Sequence, residues 1–193
     1  VAMLSVVFSD RKEGEQTLDL CTGTGDIATI IKTLGYPIKG VHLNEYYLKV
    51  GRLYDTILQK KQGQKTERHL SQANVLESQL PDADIWVAKH PCAPHMALPD
   101  SIIQRFADNP NAKRLYLLTC CANKSVHCCP DEYNQRGLIT MGEWDKSCLA
   151  ASDIGSEEEQ EKVQKVQEAL RNINNTRIQY IKEVLHLGVH ELK

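Results

Sequence analysis

The chain has 193 residues, of which 41% are apolar and 25% charged, and its formal net charge is −2. These values are ordinary for a water-soluble protein, and the length buries one good core but seldom two, so we expect a single domain over residues 1–193. No apolar run approaches the roughly 18 residues of a membrane span, and the near-neutral charge confines any nucleic-acid binding to a local patch. Seven cysteines without a secretory signal predict free thiols in an intracellular compartment, cytoplasmic or nuclear.

Strands and helices alternate through the first 119 residues. Residues 17–21 form a short apolar strand, TGTGD makes a tight turn, and IATIIKTL has the spacing of an amphipathic helix stopped at Gly35. Further strands are predicted over residues 38–43, 69–73, 84–88 and 114–119, with helices over 45–61 and around 102–106. The helix over 45–61 is expected to point these apolar residues inward: Tyr46, Leu53, Ile57 and Leu58. Such alternation is typical of a doubly wound, mostly parallel α/β sheet covered by helices in three layers.

The last third of the sequence has a different pattern. A polar loop rich in cysteine and histidine extends to Thr140, and a helix is predicted around residues 143–151. A long charged helix follows over residues 156–185, with Ser156 as its cap and acidic residues in its first turn. The pair Asn174-Asn175 is a point at which this helix can divide in two.

The segment DLCTGTGD places Asp19 at the end of the first strand and two glycines in the turn, where missing side chains let a ligand approach the backbone. Its spacing fits neither the phosphate loop nor the dinucleotide fingerprint. It resembles motif I of the class I S-adenosylmethionine (SAM) methyltransferases, which are Rossmann-like, with Cys21 in the first glycine position. The resemblance implies SAM as cofactor and a binding segment made of Asp19, Cys21, Thr22, Gly23, Gly25 and Asp26. The alternative is a turn that only packs a helix on the sheet.

The same resemblance implies contacts from the next two strand ends. In that family the second strand ends in an acidic residue that binds the ribose of SAM; the matching position here is His42, followed by Leu43, Asn44 and Glu45. Either Asn44 or Glu45 then has to reach the ribose, or affinity is weakened. After the third strand, Asn74 with Val75 matches the segment that reads the adenine amino group, although Asn74 suits a turn equally well.

Reacting groups are expected where the fourth strand ends, because ligands of open α/β sheets bind beyond the carboxyl ends of the strands. That exit carries Lys89 and His90, which suit the handling of a proton or charge on oxygen, and it lacks the Asn/Asp-Pro-Pro-Tyr/Phe segment of base-nitrogen methyltransferases. The resemblance to a known family is carried by Lys89-His90, the Cys-Cys pair after the fifth strand, His127-Cys128 and the late segment NTRIQYIKEVLHLG. Together these segments resemble the motifs of the tRNA acceptor-stem ribose 2'-O-methyltransferases. Pro91 and Ala93 depart from that family's pattern.

The cysteine and histidine residues near 120–129 allow a second interpretation, a zinc site. Adjacent cysteines at a strand end point to opposite faces, unlike the spaced pairs of structural zinc sites, so we predict no metal. A cysteine nucleophile lacks an obvious base, and His90 can equally be a structural histidine.

The sequence therefore predicts a SAM-dependent methyltransferase acting on a ribose 2'-hydroxyl of tRNA or other RNA, with Lys89 assisting the hydroxyl. Exposed basic residues are candidates for RNA contact: Lys60, Lys61, Lys65, Arg68 and Lys124. A small-molecule or protein methyltransferase, or a non-catalytic SAM-binding partner module, remains possible, and the sequence leaves the oligomeric state open. Because the sheet of this class closes with a further strand, we predict that residues 2–8 supply it beside residues 188–192 and the fifth strand, the alternative being a leading helix.

Overall fold

The computed structural model describes residues 2–61, 63, 68–91, 98–119, 129–150 and 160–189, in two compact units. The first unit comprises residues 1–91 and 108–118, and the second comprises residues 92–107 and 119–193. The helices are α1 (Ala2–Asp10), α2 (Asp26–Thr33), α3 (Glu45–Lys61), α4 (Leu98–Ala107), α5 (Asp131–Gln135), α6 (Met141–Ala150) and α7 (Gln160–Glu183). The strands are β1 (Thr17–Leu20), β2 (Ile38–His42), β3 (Leu70–Gln72), β4 (Ile85–Lys89) and β5 (Arg114–Leu118). Whether residues 1–193 act as one domain stays a prediction.

The five strands form one sheet in the order β3-β2-β1-β4-β5, and every neighbouring pair is parallel. All four residues of β1 are buried, as are Ile85 to Ala88 of β4, which explains why these strands read as apolar runs without alternation. The chain leaves β1 toward β2 on one side and later returns to pair β4 on the other side. The parallel α/β fold class predicted from the sequence is confirmed.

One face of the sheet packs against helices α1, α2 and α3. Its core combines Ile85 and Val87 of the sheet with Val7, Ile31 and Leu48, one from each helix. Since α2 and α3 both begin at the carboxyl edge of the sheet, this packing fixes the turns that precede them.

The prediction of a strand over residues 2–8 is wrong, because Ala2–Asp10 is helix α1. The helix buries Val7 in the core, and its last residue is fastened to β5: Arg114 donates to the carbonyl of Asp10, and the Tyr116 hydroxyl donates to its carboxylate at 3.1 Å. An apolar run without alternation suits helix and strand equally, so the sequence pattern alone does not distinguish them. Residues 190–192 of the predicted strand pairing lie outside the described residues.

The predicted inward face of α3 is also wrong. Tyr46, Leu53, Ile57 and Leu58 are exposed. The buried side of α3 instead carries Leu48, Gly51, Asp55 and Gln59. The reason is a polar cluster beneath the helix: the Asp55 carboxylate lies 3.2 Å from His69 Nδ1 and 3.9 Å from Lys32 Nζ, and it accepts a 2.5 Å hydrogen bond from Gln59.

The second unit is helical and has its own core, built around Tyr133, Trp144, Cys148 and Ile173. Asp100 of α4 and Arg177 of α7 form a buried, two-pronged ion pair, with N–O distances of 2.7 and 2.8 Å, and Tyr133 donates to the same carboxylate at 2.8 Å.

Helix α7 runs unbroken through Asn174-Asn175, so the predicted division there is wrong. The side-chain oxygen of Asn174 lies 3.4 Å from Arg177 Nη1 and 3.5 Å from Thr119 Oγ1. Asn174 therefore has hydrogen-bond partners while it remains in the helix. Ser156 lies outside the described residues. Helix α6 starts with a capping box in which Thr140 and Glu143 bond each other's backbone N–H groups.

Candidate active site at the carboxyl edge of the sheet

The candidate site lies where β1 has parallel neighbours on both sides. Leu20 is in register with Val41 of β2 and with Ala88 of β4. The residues one step further along, Cys21, His42 and Lys89, therefore stand level with one another at the carboxyl edge. This is the edge at which open α/β sheets bind their ligands.

The turn after β1 uses a left-handed backbone at Cys21, Gly23 and Gly25, with φ of +58°, +59° and +82°. It is closed by hydrogen bonds from the Thr22 N–H to the carbonyl of Val41 at 3.0 Å and from the Gly25 N–H to the carbonyl of Thr22 at 2.8 Å. Apart from the residues on either side of Gly23, no atom of the described residues lies within 4 Å of the place where a Cβ on Gly23 would stand. A ligand can therefore come close to the backbone at Gly23.

Two glycines outside the predicted site make this turn possible. A Cβ on Gly51 of α3 would lie 2.1 Å from the backbone oxygen of Thr24, and one on Gly40 of β2 would lie 2.7 Å from Leu70 and 3.0 Å from the Thr22 hydroxyl. Sequence reasoning missed both. The available signal was a lone glycine inside a helical pattern, which often marks a close backbone approach.

Asp19 is the buried carboxyl of the site. Its side chain accepts a 2.5 Å hydrogen bond from the Thr22 hydroxyl and a second bond from the backbone N–H of Ala28. Burial raises the pKa of Asp19 to about 7, and these hydrogen bonds together with the charge of Lys89 oppose the rise only in part. Asp19 therefore ties the turn to the start of α2 and titrates near neutral pH.

His42 replaces the acidic residue that the resemblance expects at the end of β2. Its Nδ1 lies 3.4 Å from the backbone N of Gly23, and its ring meets Tyr47 edge to face, with centroids 5.3 Å apart. Partial burial lowers the pKa of the imidazole, opposed by a hydrogen bond with the backbone of Cys21, so the ring is neutral at pH 7. His42 packs against the turn as a neutral hydrogen-bonding group.

The residues after His42 are employed locally. Asn44 Oδ1 accepts the backbone N–H of Tyr46, and this hydrogen bond forms the turn at the start of α3. Glu45 forms a 2.5 Å ion pair with Arg52. Leu43 is exposed and its carbonyl accepts a hydrogen bond from a glutamine of β3. The carboxylate nearest the end of β2 is therefore neutralised by an arginine of its own helix.

Asn74 follows β3 at the same edge of the sheet, and its side chain forms a hydrogen bond within the turn there. Its Oδ1 accepts the backbone N–H of Leu76 at 3.1 Å, while Val75 is buried. The Asn74 oxygen thus shapes the turn.

Lys89 is the exposed last residue of β4, on the same edge as Asp19. His90 follows with a left-handed φ of +52°, and its backbone N–H bonds the carbonyl of Leu118 at 2.8 Å, which holds the exit of β4 against β5. Ala93 lies outside the described residues, and so do Cys120, Cys121, His127 and Cys128.

The described cysteines of the second unit are buried thiols. Burial raises the pKa of Cys129 to about 11 and that of Cys148 to about 12. Both are therefore protonated at neutral pH. Within the described part of the chain, no three metal-binding side chains gather into a candidate metal site.

The described residues fit a SAM-like ligand at the turn, where the space beside Gly23 is open and the backbone is left-handed. They depart from the expected pattern at the end of β2, where His42 stands in place of a carboxylate.

No family model matches the sequence, and a search of curated proteins finds no match. Solved structures with a similar fold include the tRNA (uracil-54, C5)-methyltransferase of Pyrococcus abyssi in complex with S-adenosyl-L-homocysteine, which is 20% identical over 56% of this chain and 26% of that chain, with a TM-score of 0.42. A SAM-dependent methyltransferase of Methanosarcina mazei is 17% identical over 53% of this chain and 50% of its own, with a TM-score of 0.45. The ribosomal protein L11 methylase of Lactobacillus delbrueckii subsp. bulgaricus is 15% identical over 57% of this chain and 54% of its own, with a TM-score of 0.45.

The chain thus spans between 26% and 54% of the length of these three proteins. With identities below 25% and TM-scores below 0.5, the likeness to these three proteins concerns the fold alone. Among the described residues, no helix combines the length and the apolar character needed to cross a membrane.

Proposed function

We propose that the chain is a SAM-dependent methyltransferase whose acceptor is a ribose 2'-hydroxyl of tRNA or another RNA. The observation that carries the proposal is the open, left-handed turn after β1, with Lys89 on the same edge of the sheet. Such a turn, placed beside the carboxyl ends of parallel strands, suits a ligand with a negatively charged group and a nucleoside. An RNA substrate also implies an intracellular setting.

SAM would supply a methyl group already activated by a sulfonium. We assign the turn from Asp19 to Asp26 to holding it, because the backbone at Gly23 is open and Asp19 fixes the shape of the turn. His42, the last residue of β2, lies against the turn, so we assign the ribose of SAM to His42. Asn44 accepts an N–H of the first turn of α3, and Glu45 is paired with Arg52 of that helix. Asn74 and Val75 are assigned to the adenine side.

Methyl transfer to a hydroxyl forms an oxygen–carbon bond as the carbon–sulfur bond breaks, leaving a thioether, and the hydroxyl proton passes to water. The chain contributes alignment and electrostatics to this step. Lys89 is exposed at the end of β4, so its ammonium is placed to attract the hydroxyl oxygen as that oxygen gains negative charge. We assign Lys89 this role rather than that of a base, and His90 the role of setting the direction of the strand exit.

The position of the basic residues bears on the acceptor. Lys60, Lys61 and Arg68 are exposed, but α3 runs away from the carboxyl edge and ends at Lys61, roughly 24 Å along the helix from Glu45. These residues can touch a long substrate such as a tRNA only at a distance from the reacting nucleotide. Lys65 and Lys124 lie outside the described residues. This placement favours, as a second candidate, a methyltransferase for a small molecule or a protein.

The test is methyl transfer from radiolabelled SAM to bulk tRNA, followed by alkaline digestion, because a 2'-O-methyl group protects the adjoining phosphodiester from hydrolysis. We expect labelled, alkali-resistant dinucleotides. Lys89→Ala should lower kcat on the order of a hundredfold and leave the affinity for S-adenosylhomocysteine unchanged, as expected for a group that acts in the transition state.

Lys113→Ala is the control, because Lys113 is an exposed lysine at the amino edge of the sheet and should not affect the rate. Label that appears in alkali-sensitive products would overturn the ribose acceptor. Transfer to small molecules or proteins but not to RNA would support the second candidate. Full turnover by Lys89→Ala would remove Lys89 from the reaction.

A further inference from the structure

Tyr47 lies in the first turn of α3, on the side of the helix that faces the turn after β1. Gly51 follows it by four residues and therefore lies on the same side. At Gly51 the helix comes so close to the turn that a Cβ would lie 2.1 Å from the backbone oxygen of Thr24. Tyr47 is about one helical turn nearer the carboxyl edge than Gly51, so it stands beside the candidate cofactor site.

Two neighbouring rings hold the Tyr47 side chain in place. Its ring meets His42 edge to face, with centroids 5.3 Å apart, and it meets Tyr46 in the same manner at 6.0 Å. The imidazole of His42 in turn lies 3.4 Å from the backbone N of Gly23. Tyr47 is nevertheless 46% exposed, so part of its surface is available to a ligand. A ring already fixed beside a site loses little conformational entropy when a nucleoside packs against it.

The carboxylate that follows β2 is held away from this ring. Glu45 is the first acidic residue after His42 in the sequence, and it pairs with Arg52. The guanidinium of Arg52 also donates to the carbonyl of Leu70 in β3, which holds the ion pair toward β3. The end of β2 itself presents the neutral imidazole of His42 to the turn. The side of the site between β2 and the turn therefore offers rings and a neutral hydrogen-bonding group.

We infer that Tyr47 determines the specificity for the nucleoside of the cofactor, through contact of its ring with the sugar and base, and that the ribose hydroxyls add little to affinity. The inference rests on the proposed function, because it takes the ligand of the turn after β1 to be SAM.

The size of the hydroxyl contribution follows from the neutral partner. A hydrogen bond between two neutral groups contributes less than a hydrogen bond to a carboxylate. Removal of one ribose hydroxyl should therefore weaken binding by about fivefold or less, whereas a carboxylate partner would make the loss roughly ten- to a hundredfold.

Calorimetric titration of the natural chain with S-adenosylhomocysteine and with its 2'-deoxy and 3'-deoxy analogues tests the hydroxyl contribution. We expect the three dissociation constants to agree within about fivefold. The readout is binding alone, so it does not depend on the identity of the methyl acceptor.

Substitutions at Tyr47 test the ring. Tyr47→Ala should bind S-adenosylhomocysteine at least about tenfold more weakly, because contact between an aromatic ring and a base is lost. Tyr47→Phe keeps the ring and should bind like the natural chain. Tyr54→Ala is the matched control, because Tyr54 is an exposed tyrosine of the same helix, seven residues further from the edge, and it should leave the affinity unchanged.

The failure of this inference can be distinguished from the failure of the proposed function. If the natural chain binds S-adenosylhomocysteine, the inference alone would be overturned by a loss of about tenfold or more with either deoxy analogue, by undiminished binding to Tyr47→Ala, or by a Tyr47→Phe variant as weak as Tyr47→Ala. A natural chain that binds no S-adenosylhomocysteine would overturn the inference and the proposed function together.

Discussion

The buried carboxyl of Asp19 predicts a stability that falls as the pH rises. Its pKa is about 7 in the folded chain against 3.8 for an ordinary aspartate, and three pKa units correspond to about 4 kcal/mol. Because the folded state holds the proton more tightly than the unfolded state, this contribution to the free energy of unfolding is intact below pH 4. It is lost progressively between pH 4 and pH 7. Asp19→Asn keeps a side chain able to bond Thr22 and Ala28 but cannot titrate.

Urea unfolding of both chains at pH 4.5, 6 and 8 measures the effect, since every other titrating group is shared and cancels in the difference. We expect the variant to gain on the natural chain by about 3 kcal/mol between pH 4.5 and pH 8, because a small part of the contribution is already lost at pH 4.5. Asp131→Asn, at an exposed carboxyl of the second unit that does not act on Asp19, is the control and should follow the natural chain at each pH. A difference between Asp19→Asn and the natural chain that stays constant with pH would refute the argument that burial governs this carboxyl.

Two further substitutions test the packing that supports the site and the second unit. Gly51→Ala should lower the free energy of unfolding by about 1–3 kcal/mol, because the new Cβ meets the backbone of the turn, and it should weaken binding of S-adenosylhomocysteine. The control is Gly142→Ala in α6, where no atom of the described residues lies within 4 Å of the new Cβ; it should be neutral or slightly stabilising. If Gly51→Ala and Gly142→Ala had the same thermal unfolding midpoint and the same calorimetric affinity for S-adenosylhomocysteine, the close approach of α3 to the turn would be contradicted. Asp100→Ala should cost about 3–5 kcal/mol in urea unfolding because Arg177 is left buried without its partner, while Lys113→Ala, which breaks an exposed pair, should not shift the midpoint; an Asp100→Ala variant as stable as Lys113→Ala would contradict a buried pair.

The sheet could be predicted from the sequence because buried parallel strands are short apolar runs bounded by polar turns. Predicted and observed bounds of β2, β4 and β5 agree within one residue. The turn after β1 could be predicted as well, since Gly23 and Gly25 lie where the backbone is left-handed.

Which side of a helix faces inward could not be predicted for α3. Its periodicity shows two sides, and the apolar one was the natural choice for the core. In the structure the other side of α3 faces inward. Only a glycine fits at position 51, against the backbone of Thr24, and the Asp55 carboxylate contacts His69 and Lys32 beneath the helix. Partners that are distant in sequence are invisible to a pattern within one helix.

Local preference was overridden at both ends of the chain. Residues 2–8 suit a strand by composition, yet they belong to helix α1, which buries Val7 in the core and meets β5 through Asp10. Asn174-Asn175 suits a break, yet α7 continues through it, with Asn174 bonded to Thr119 and Arg177 bonded to Asp100. At the site, the Asn74 oxygen accepts a hydrogen bond within its own turn, a local contact that the family pattern alone does not predict.

The most direct test of the account is calorimetric titration of the natural chain with S-adenosylhomocysteine, repeated with Gly23→Val. Gly23 has a left-handed φ and open space beside it, so a β-branched side chain disfavours the turn and fills the approach to its backbone. We expect one molecule bound per natural chain and binding lost in Gly23→Val, with Gly137→Val, at a left-handed glycine of the second unit, retaining the natural affinity. Absence of binding to the natural chain, or undiminished binding by Gly23→Val, would contradict a cofactor site at the turn after β1.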